Sequence, residues 1–416
     1  MMASPFGILL LSAILGHGQL AAASGLRKAA HERQRPLSML ELSRQAATSS
    51  SVSAGSTKNP PPPAIFGSVY IGMPAQEFKV MFDTGSGNII LPGKKCASIA
   101  CMSKKPYDKL LSTATKDVVL APDAPRTATF VLGSGSVTGG FTSDKVCLGP
   151  QETLCAQTSI VEATEMSKTP FSLYPYDGIV GLAMPALSLA KEYNFMGNLA
   201  EAEELQTDRF GVWFAMPNDL VDSEITFGAI PEERLGSDIF WLPLSTTKTG
   251  LWQVDMSDIT VNLVRLGLCG HTGCQAAFDT GTGVIGGPKG IIDGLVAALN
   301  ILEDCTNYES LPALGFEMAG ITMNIEKTEY VHRTTEGCYP QFAVVDMPSE
   351  KHGPMILLGA PFLTRYVTIY DRVFLRMGLS YARHKRLPTG ETDEEAAKRL
   401  MGRQAVGKIP ADEADE

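Results

Sequence analysis

Several short segments of the chain place apolar residues at every second position, which is the period of a β-strand. Phe78, Val80 and Phe82 follow this alternation. Segments 67–72, 210–216 and 224–230 also predict strands. Helical spacing is rarer, and it is confined to a stripe within 291–299 and a segment within 187–205. The pattern therefore predicts an all-β fold class, mainly β with a few short helices.

The first residues differ from the rest of the chain. Met1–Ser24 contains no charged residue, and the apolar run Phe6–Leu15 precedes the small residues Ala21–Ala23. This order is typical of a secretory signal peptide. A membrane anchor is the alternative, but about ten apolar residues are too few to span a bilayer. No later stretch is longer and equally apolar, so we expect no membrane span.

Charge separates an N-terminal arm from the body. The 416 residues carry a net charge of −10, which argues against nucleic acid as a partner. Residues 25–63 combine a basic arm with a Ser/Ala-rich and Pro-rich linker, and the basic residues of the arm are Arg27, Lys28, Arg33, Arg35, Arg44 and Lys58. The arm is either a solvated tail or a propeptide that binds an acidic body. Residues 384–416 mix charges without an apolar period, and we expect a flexible extension there.

The chain has eight cysteines, and their spacing suggests four local pairs. These are Cys96–Cys101, Cys147–Cys155, Cys269–Cys274 and Cys305–Cys338. The sequence leaves other pairings open. No C-x-x-C pair occurs, so disulfides in an oxidising compartment are favoured over a structural zinc, and we expect no metal.

A repeat in the body carries the candidate chemistry. Phe82-Asp83-Thr84-Gly85-Ser86-Gly87 recurs as Phe278-Asp279-Thr280-Gly281-Thr282-Gly283, 196 residues later. Each copy ends an apolar strand. A second apolar strand containing glycine follows each copy, at 177–182 and 355–359. Asp-Thr-Gly alone is a common turn, but two copies with matched partner strands predict two related lobes.

Two such lobes can bring Asp83 and Asp279 together on a pseudo-twofold axis. Carboxylates about 3 Å apart repel by about 5 kcal/mol at an effective dielectric constant near 20, so the pair holds one proton over a wide acidic range. The ionised carboxylate can then act as a base on a water molecule, while the protonated carboxyl donates to a carbonyl. The titration belongs to the pair, so neither role is assigned permanently to one residue.

The neighbouring residues have supporting roles in this arrangement. Gly85 and Gly281 permit tight backbone turns. The hydroxyls of Thr84 and Thr280 can hydrogen-bond between the two loops. The hydroxyls of Ser86 and Thr282 can donate to the outer oxygens of the two carboxylates.

These motifs resemble those of the pepsin-like (A1 family) aspartic proteases, the group that includes pepsin and cathepsin D. The resemblance covers about 65–382 and includes the segments 176–182, 252–254, 274–282, 357–363 and 370–372. It implies a bilobal fold with a cleft between two pseudo-twofold-related β lobes, at 64–240 and 241–383. It also implies that Asp83 and Asp279 are catalytic and that no cofactor is needed. The pairs 96–101, 269–274 and 305–338 fall where the family has disulfides, whereas Cys147–Cys155 is an addition.

The resemblance also implies a flap over the cleft at 130–139. Backbone groups of Gly133 and Ser134 would hydrogen-bond a peptide strand. Leu132 stands where the family usually has a tyrosine, and Ile90 stands where its tryptophan partner usually lies. We expect Leu132, Ile90 and Ile179 to line an apolar pocket that favours a large hydrophobic residue before the cut bond, although each could belong to the core instead.

The sequence thus predicts an acid-active aspartic endopeptidase, made as a zymogen whose propeptide inhibits its own cleft. The expected partners are peptide and protein substrates, and the protein is expected to be a monomer in the secretory pathway. A lysosome- or vacuole-like compartment and the extracellular space both remain open. The alternative is a catalytically silent protein of the same fold that binds peptides or proteins.

Overall fold

The computed structural model describes residues 65–118, 126–133, 135–216, 219, 222–345, 347 and 353–384, together with the backbone of residues 40–44. The expected signal peptide, most of the expected propeptide and linker, and the expected extension beyond residue 384 lie outside these residues. Within the described part of the chain, strands predominate and the helices are short.

The strands, in chain order, are β1 (Leu40–Arg44), β2 (Phe66–Ile71), β3 (Gln76–Asp83), β4 (Ile89–Pro92), β5 (Thr127–Leu132), β6 (Gly135–Gly149), β7 (Thr153–Met166), β8 (Gly178–Gly181), β9 (Arg209–Trp213), β10 (Ser223–Phe227), β11 (Phe240–Pro243), β12 (Gln253–Met256), β13 (Asp258–Val261), β14 (Val264–Arg265), β15 (Cys274–Phe278), β16 (Ile285–Gly287), β17 (Leu314–Met318), β18 (Ile321–Ile325), β19 (Val331–Arg333), β20 (Cys338–Pro340), β21 (Phe342–Val344), β22 (Met355–Leu358), β23 (Tyr366–Asp371) and β24 (Arg376–Tyr381). The helices are α1 (Ile99–Met102), α2 (Phe195–Glu201), α3 (Lys289–Leu299), α4 (Lys327–Tyr330) and α5 (Ala360–Leu363).

The segments predicted from periodicity form the expected elements. The alternating apolar residues of 78–82 lie in β3, and the helical stripe within 291–299 lies in α3. Helix α3 buries Ile291, Ile292, Leu295 and Leu299 and ends at Asn300, which adopts a left-handed backbone conformation at φ 45°. Asparagine tolerates that conformation better than most residues, which explains why the helix stops there.

The first half of the chain builds a seven-stranded sheet in the order β2-β3-β8-β4-β7-β6-β5. Strands β3 and β8 run parallel, so that Asp83 lies opposite Gly181. Strand β8 then pairs antiparallel with β4, and β4 pairs parallel with β7. The end of β3 is thereby fixed at the centre of the sheet.

The second half repeats this arrangement in a five-stranded sheet, in the order β12-β15-β22-β16-β21. Strands β15 and β22 run parallel with Phe278 opposite Leu358, β22 is antiparallel to β16, and β16 is parallel to β21. Both Asp-Thr-Gly loops therefore leave equivalent positions in two equivalent sheets. The repeat seen in the sequence is a repeat of topology.

A six-stranded sheet in the order β1-β10-β9-β23-β24-β11 connects the two halves. Its central strands come from both sides of the boundary expected near residue 240. On this sheet, Tyr370 stacks on Phe210 with ring centroids 4.5 Å apart and contacts Trp252 edge-on at 5.1 Å. The two lobes thus share a continuous aromatic core below the Asp-Thr-Gly loops.

The end of the described chain is packed against this sheet. His384, which was expected to begin the flexible extension, is 8% exposed. Its Nδ1 lies 2.6 Å from Asp219 Oδ2, and its ring contacts Trp213. The folded body therefore extends at least to His384, one residue beyond the boundary expected from the sequence.

Candidate active site

Asp83 and Asp279 meet at the interface between the two lobes. Asp83 is the last residue of β3, and Asp279 directly follows β15. They are 8% and 9% exposed, and Oδ1 of each carboxyl lies beside Gly281, so that the two carboxyls are near neighbours. The parallel partners β8 and β22 hold both loops at the carboxyl ends of strands. The structure thus brings together the two carboxyls that the repeat singled out.

The threonines that follow the aspartates join the loops in a symmetric network. The hydroxyl of Thr84 donates to the carbonyl of Phe278 at 2.8 Å, and that of Thr280 donates to the carbonyl of Phe82 at 2.7 Å. Each hydroxyl also accepts from the backbone N–H of the opposite threonine at 3.0 Å. Both threonines are 1% exposed. Four hydrogen bonds satisfy six buried polar groups across the interface, which fixes the distance between the two loops.

The glycines of the motif allow each loop to approach the opposite carboxyl. A Cβ atom on Gly85 would lie 2.8 Å from both carboxyl oxygens of Asp279, and one on Gly281 would collide with Oδ1 of Asp83. Each glycine N–H also donates to the aspartate of its own loop at 2.8 Å. Glycine is therefore required here by the close approach of the opposite loop, as well as by the turn that the sequence predicts.

The outer oxygens of the two carboxyls have different partners. Thr282 donates its hydroxyl to Asp279 Oδ2 at 2.6 Å, as expected. The hydroxyl of Ser86 is buried and, within the described part of the chain, has no hydrogen-bond partner of good geometry. It is still near enough to Asp83 to lower the pKa of that carboxyl. The pseudo-symmetry of the site is thus broken at this pair of hydroxyls.

The environment of Asp83 favours its protonated form. Burial, followed by the neighbouring negative charge of Asp279, raises the pKa of Asp83 from 3.8 to about 7. Hydrogen bonds from the loop act in the opposite direction but are weaker influences. A shared proton is therefore retained from acidic to near-neutral pH.

The expected flap is a β-hairpin formed by β5 and β6. Leu132 pairs with Gly135, which leaves a two-residue turn in which Gly133 adopts φ +58°. Such turns favour positive φ at their central residues, and glycine provides it without strain. Ser134, expected to contact substrate through its backbone, lies outside the described residues.

The apolar residues expected near the flap belong to one cluster. Ile90 and Ile179 are 1% and 4% exposed, and Leu132 packs against the cluster as a half-buried residue. The two isoleucines are therefore core residues with little surface to offer a substrate. Leu132 retains exposed surface, and its role in a pocket stays a prediction.

Comparison with known proteins agrees with this geometry. The family model described as eukaryotic aspartyl protease matches residues 64–382. The chain belongs to this family. It is 30% identical to pepsin A of Sus scrofa over 327 residues, covering 76% of this chain and 80% of that protein. It is also 31% identical to pepsin II-1 of Oryctolagus cuniculus over 346 residues (80% and 85%), and 29% identical to renin of Rattus norvegicus over 332 residues (76% and 79%).

The protein is accordingly an aspartic endopeptidase, a hydrolase that acts on peptide substrates, and it has the bilobal, mainly β fold of the family. The eight cysteines of this aspartyl protease form the four bridges named from the sequence, including Cys147–Cys155. Among the described residues, no helix is long and apolar enough to cross a membrane. The same residues contain no group of three or more acidic, histidine or cysteine side chains suited to a metal ion.

Sequence reasoning missed several residues around the site of this aspartyl protease. Tyr370 is fully buried, its hydroxyl accepts a hydrogen bond from Thr368 at 3.3 Å, and burial raises its pKa. Lys104 is 8% exposed and donates to the backbone carbonyls of Tyr174 and Tyr176. In the sequence, Lys104 lies in a short basic run that indicates a solvated surface. No local pattern distinguishes it from its neighbour Lys105.

Proposed function

We propose that Asp83 and Asp279 are the catalytic pair of this endopeptidase. The observation that carries the proposal is the close approach of the two buried carboxyls, whose Oδ1 atoms both lie beside Gly281. Burial and the charge of Asp279 raise the pKa of Asp83 to about 7. One carboxyl is protonated and the other ionised, which is the state needed to activate water without a metal or cofactor.

In the proposed reaction, the ionised carboxylate removes a proton from a water molecule as the water oxygen attacks the peptide carbonyl carbon. The protonated carboxyl donates to the carbonyl oxygen, so that a neutral tetrahedral diol forms. When the C–N bond breaks, the carboxyl that took the water proton passes it to the nitrogen, which leaves as an amine. One hydroxyl of the diol returns its proton to the other carboxylate as the C=O bond re-forms. The products are a new carboxyl terminus and a new amino terminus, and the pair returns to its one-proton state.

The surrounding residues support this chemistry by holding the carboxyls still. Thr84 and Thr280 fix the separation of the loops, and Gly85 and Gly281 permit their approach. Thr282 orients Asp279, and Ser86 is placed to orient Asp83 once substrate is bound. Preorganised groups of this kind lower the reorganisation needed in the transition state.

We propose further that an extended peptide lies between the lobes 64–240 and 241–383 and is covered by the flap. Backbone groups at Gly133 and Ser134 would bond the peptide as a strand bonds a sheet edge. The apolar surface of Leu132, supported from behind by Ile90 and Ile179, favours a large hydrophobic residue before the cut bond.

We propose that the protein is made as a zymogen whose basic arm inhibits the cleft intramolecularly. Two features support this role. The arm is basic while the remaining chain is acidic. Strand β1, which belongs to the arm, pairs antiparallel with β10 at the edge of the shared sheet. In acid the carboxylates of the body become protonated while the arginines of the arm stay charged, so the attraction weakens and the arm is released.

We propose that the protease travels the secretory pathway as a monomer, to a lysosome- or vacuole-like compartment or out of the cell. The signal-like segment Met1–Ser24 and the four disulfides support this route, since disulfides persist in oxidising compartments.

The test is cleavage of a denatured protein and of a peptide library from pH 3 to 7, with and without the aspartic-protease inhibitor pepstatin. Pepstatin-sensitive cutting is expected in the wild type, and none is expected in Asp83→Asn or Asp279→Asn. Persistent activity in both single variants would falsify the assignment. N-terminal sequencing of the fully active form should show loss of the arm, and an intact N-terminus there would contradict the zymogen proposal.

A further inference from the structure

One segment of the first lobe is basic, although the protein as a whole is acidic. Residues 94–116 contain six lysines and one acidic residue, which gives the segment a net charge of +5. Since the whole chain carries −10, the other residues together carry −15. Positive charge is therefore concentrated on a short part of the folded body that lies between β4 and β5. The six lysines are Lys94, Lys95, Lys104, Lys105, Lys109 and Lys116.

The same segment leaves four large apolar side chains in contact with water. The short helix α1 buries its middle residues, whereas Ile99 and Met102, which lie one helical turn apart, are 60% and 77% exposed. In the 3₁₀ turn Lys109–Leu111 that follows, Leu110 is 87% exposed and Leu111 is more than half exposed. Single exposed apolar residues are ordinary on a protein surface, but four of them so close together in the chain indicate an interaction surface.

Both turns start from one fixed pair of residues. Lys94 Nζ lies 2.5 Å from Asp108 Oδ2, and the backbone N–H of Lys94 donates to the carbonyl of Tyr107 at 3.1 Å. The disulfide Cys96–Cys101 closes the loop that carries α1. Asp108 also caps the 3₁₀ turn, because its carboxylate accepts from the N–H of Leu110 at 3.1 Å. The loop and the turn therefore project from neighbouring points, and together they are called the 94–116 surface below.

Most of the positive charge of the 94–116 surface is accessible to a partner. Lys94 and Lys109 are each paired with one carboxylate, yet their side chains remain 67% and 43% exposed. Lys105 is exposed, and its Nζ donates at 2.7 Å to the backbone carbonyl of Glu77, a neutral group that does not cancel its charge. Lys104 is the exception, because it is buried and bonded to backbone carbonyls. The surface thus combines an excess of positive charge with exposed apolar side chains.

We propose that the 94–116 surface docks the protein onto an anionic lipid membrane. The interface of such a membrane offers phosphate groups to the lysines and, slightly deeper, acyl chains to the apolar side chains, so both parts of the surface are satisfied together. Docking of this kind is peripheral and needs no membrane-spanning segment. The inference concerns binding alone and does not rest on the proposed catalytic pair.

Charge argues against the other occupants of this surface. The N-terminal arm of the chain is itself basic, so the 94–116 surface repels it. A soluble acidic partner would attract the lysines but would also have to supply a matching apolar groove. Because the other residues together carry −15, an anionic membrane repels the rest of the molecule, which favours a single orientation with this surface towards the lipid.

The test begins with sedimentation of the full chain with lipid vesicles. One set of vesicles is phosphatidylcholine alone, and the other is phosphatidylcholine mixed with phosphatidylserine. Binding is expected to the mixed vesicles, with little binding to phosphatidylcholine alone, and it should weaken as salt is added. No binding to the mixed vesicles overturns the proposal. Because the N-terminal arm is also basic, variants are needed to locate the binding surface.

Two double variants test the two parts of the surface separately. Lys95→Glu/Lys105→Glu should lower the partition coefficient for the mixed vesicles about tenfold or more, because each lysine near an anionic bilayer contributes a factor of about five. Ile99→Ser/Met102→Ser should lower it about tenfold, because apolar side chains no longer enter the interface. Vesicle binding that Ile99→Ser/Met102→Ser leaves unchanged would be due to charge alone, and it overturns the lipid assignment in favour of an acidic soluble partner.

Matched control variants make the same chemical changes on the second lobe. Lys248→Glu/Lys289→Glu reverses two exposed lysines, and Leu263→Ser/Val264→Ser removes two exposed apolar side chains from a hairpin turn. Both controls should change the partition coefficient little. Equal losses in the control variants and in the variants of the 94–116 surface overturn the proposal.

Lysine acetylation, read by mass spectrometry, locates the contact in the unaltered protein and keeps the proposal falsifiable if a variant does not fold. Bound mixed vesicles should reduce acetylation of Lys94, whose side chain is 67% exposed. They should not reduce acetylation of Lys191 and Lys289, which are 70% and 71% exposed. All three lysines form surface ion pairs, so they are matched in environment as well as in exposure. Equal protection of the three lysines overturns the proposal.

Discussion

Thr84 and Thr280 exchange the same pair of hydrogen bonds across the interface between the lobes. The hydroxyl of each accepts from the backbone N–H of the other at 3.0 Å and donates to the carbonyl that precedes the opposite aspartate, on Phe82 or Phe278. The relation is reciprocal because the two loops leave equivalent strands. Each lobe therefore sets the position of the aspartate carboxyl of the other.

Removing one of these hydroxyls should destabilise the whole protein. Thr84→Val keeps the shape but leaves the N–H of Thr280 and the carbonyl of Phe278 unsatisfied in the core. We expect the free energy of unfolding to fall by about 2–4 kcal/mol, measured by urea denaturation. Thr84→Ser retains the hydroxyl and should lose about 1 kcal/mol or less. Equal stability of Thr84→Val and wild type would contradict the role of the network.

Adding a methyl group at Gly85 should affect activity more than folding. The new Cβ would lie 2.8 Å from both carboxyl oxygens of Asp279, so that carboxyl or the loop must move. A displacement of about 1 Å at a reacting group lowers the rate about a hundredfold, and we expect kcat of Gly85→Ala to fall at least tenfold. Gly290→Ala in α3 is the control, because a Cβ there meets nothing within 4 Å. Unchanged kcat in Gly85→Ala would show that the carboxyls are not held this tightly.

The raised pKa of Asp83 should make the protein less stable as pH rises. Between about pH 4 and pH 7 the folded protein retains a proton on Asp83 that the unfolded chain releases, so folding is favoured below this window. The contribution is on the order of 4 kcal/mol and is lost as pH rises through about 7. Asp83→Asn cannot titrate and should therefore exceed wild type in stability at pH 8.

The measurement is thermal unfolding at pH 4 and pH 8 of the same preparations. Asp293→Asn is the control, because Asp293 is exposed and forms an ion pair with Lys289 on the surface of the described part of the chain. It should show no comparable gain over wild type at pH 8. The interpretation fails if Asp83→Asn shows no gain over wild type at pH 8.

The same proton should set the alkaline limit of activity. Hydrolysis requires one proton on the pair, so kcat/KM should fall about tenfold per pH unit above about pH 7. The profile is measured with one peptide under conditions in which the enzyme stays folded, as checked by fluorescence. Undiminished activity at pH 9 would exclude a protonated carboxyl from the mechanism.

The Cys147–Cys155 bridge should contribute to stability but not to catalysis. It joins residues 8 positions apart at the end of the β6–β7 hairpin, whereas Cys305–Cys338 closes a loop of separation 33. Loop-closure entropy predicts that replacing Cys147–Cys155 by serines lowers the free energy of unfolding by about 2.5 kcal/mol, and that replacing Cys305–Cys338 lowers it by about 4 kcal/mol. Urea denaturation of the two variants shows which loses more stability. A marked change in kcat/KM of folded Cys147→Ser/Cys155→Ser would contradict a purely structural role.

The sequence was informative where the deciding pattern is short. Alternation over 78–82 predicts β3 because side chains of a strand point to opposite faces, and the stripe within 291–299 predicts α3 because a helix turns every 3.6 residues. The repeated Asp-Thr-Gly loops predict Asp83 and Asp279 because each copy carries its own strand and its own partner strand. Cysteines a few residues apart are brought together by local chain geometry alone.

Other features depended on residues that are distant in the chain. Ser86 and Thr282 hold equivalent positions in the repeat, yet only Thr282 bonds to its aspartate. Lys104 resembles its exposed neighbour Lys105 until the segment around Tyr174 packs over it. Such differences arise from packing between elements, which no local period records.

By itself, the sequence determined that the chain is a two-lobed β protein with one carboxyl per lobe, since hydrophobic periodicity and the repeat are local properties. The tertiary structure alone decided how close the carboxyls lie, which hydroxyl reaches which oxygen, and that Ile90 and Ile179 are buried in the core against which Leu132 packs. Those facts depend on how the two sheets pack across one interface. That packing joins residues far apart in the chain, such as Thr84 and Thr280, which are 196 positions apart. Burial and distance, which set the pKa of Asp83, exist only once that packing is made.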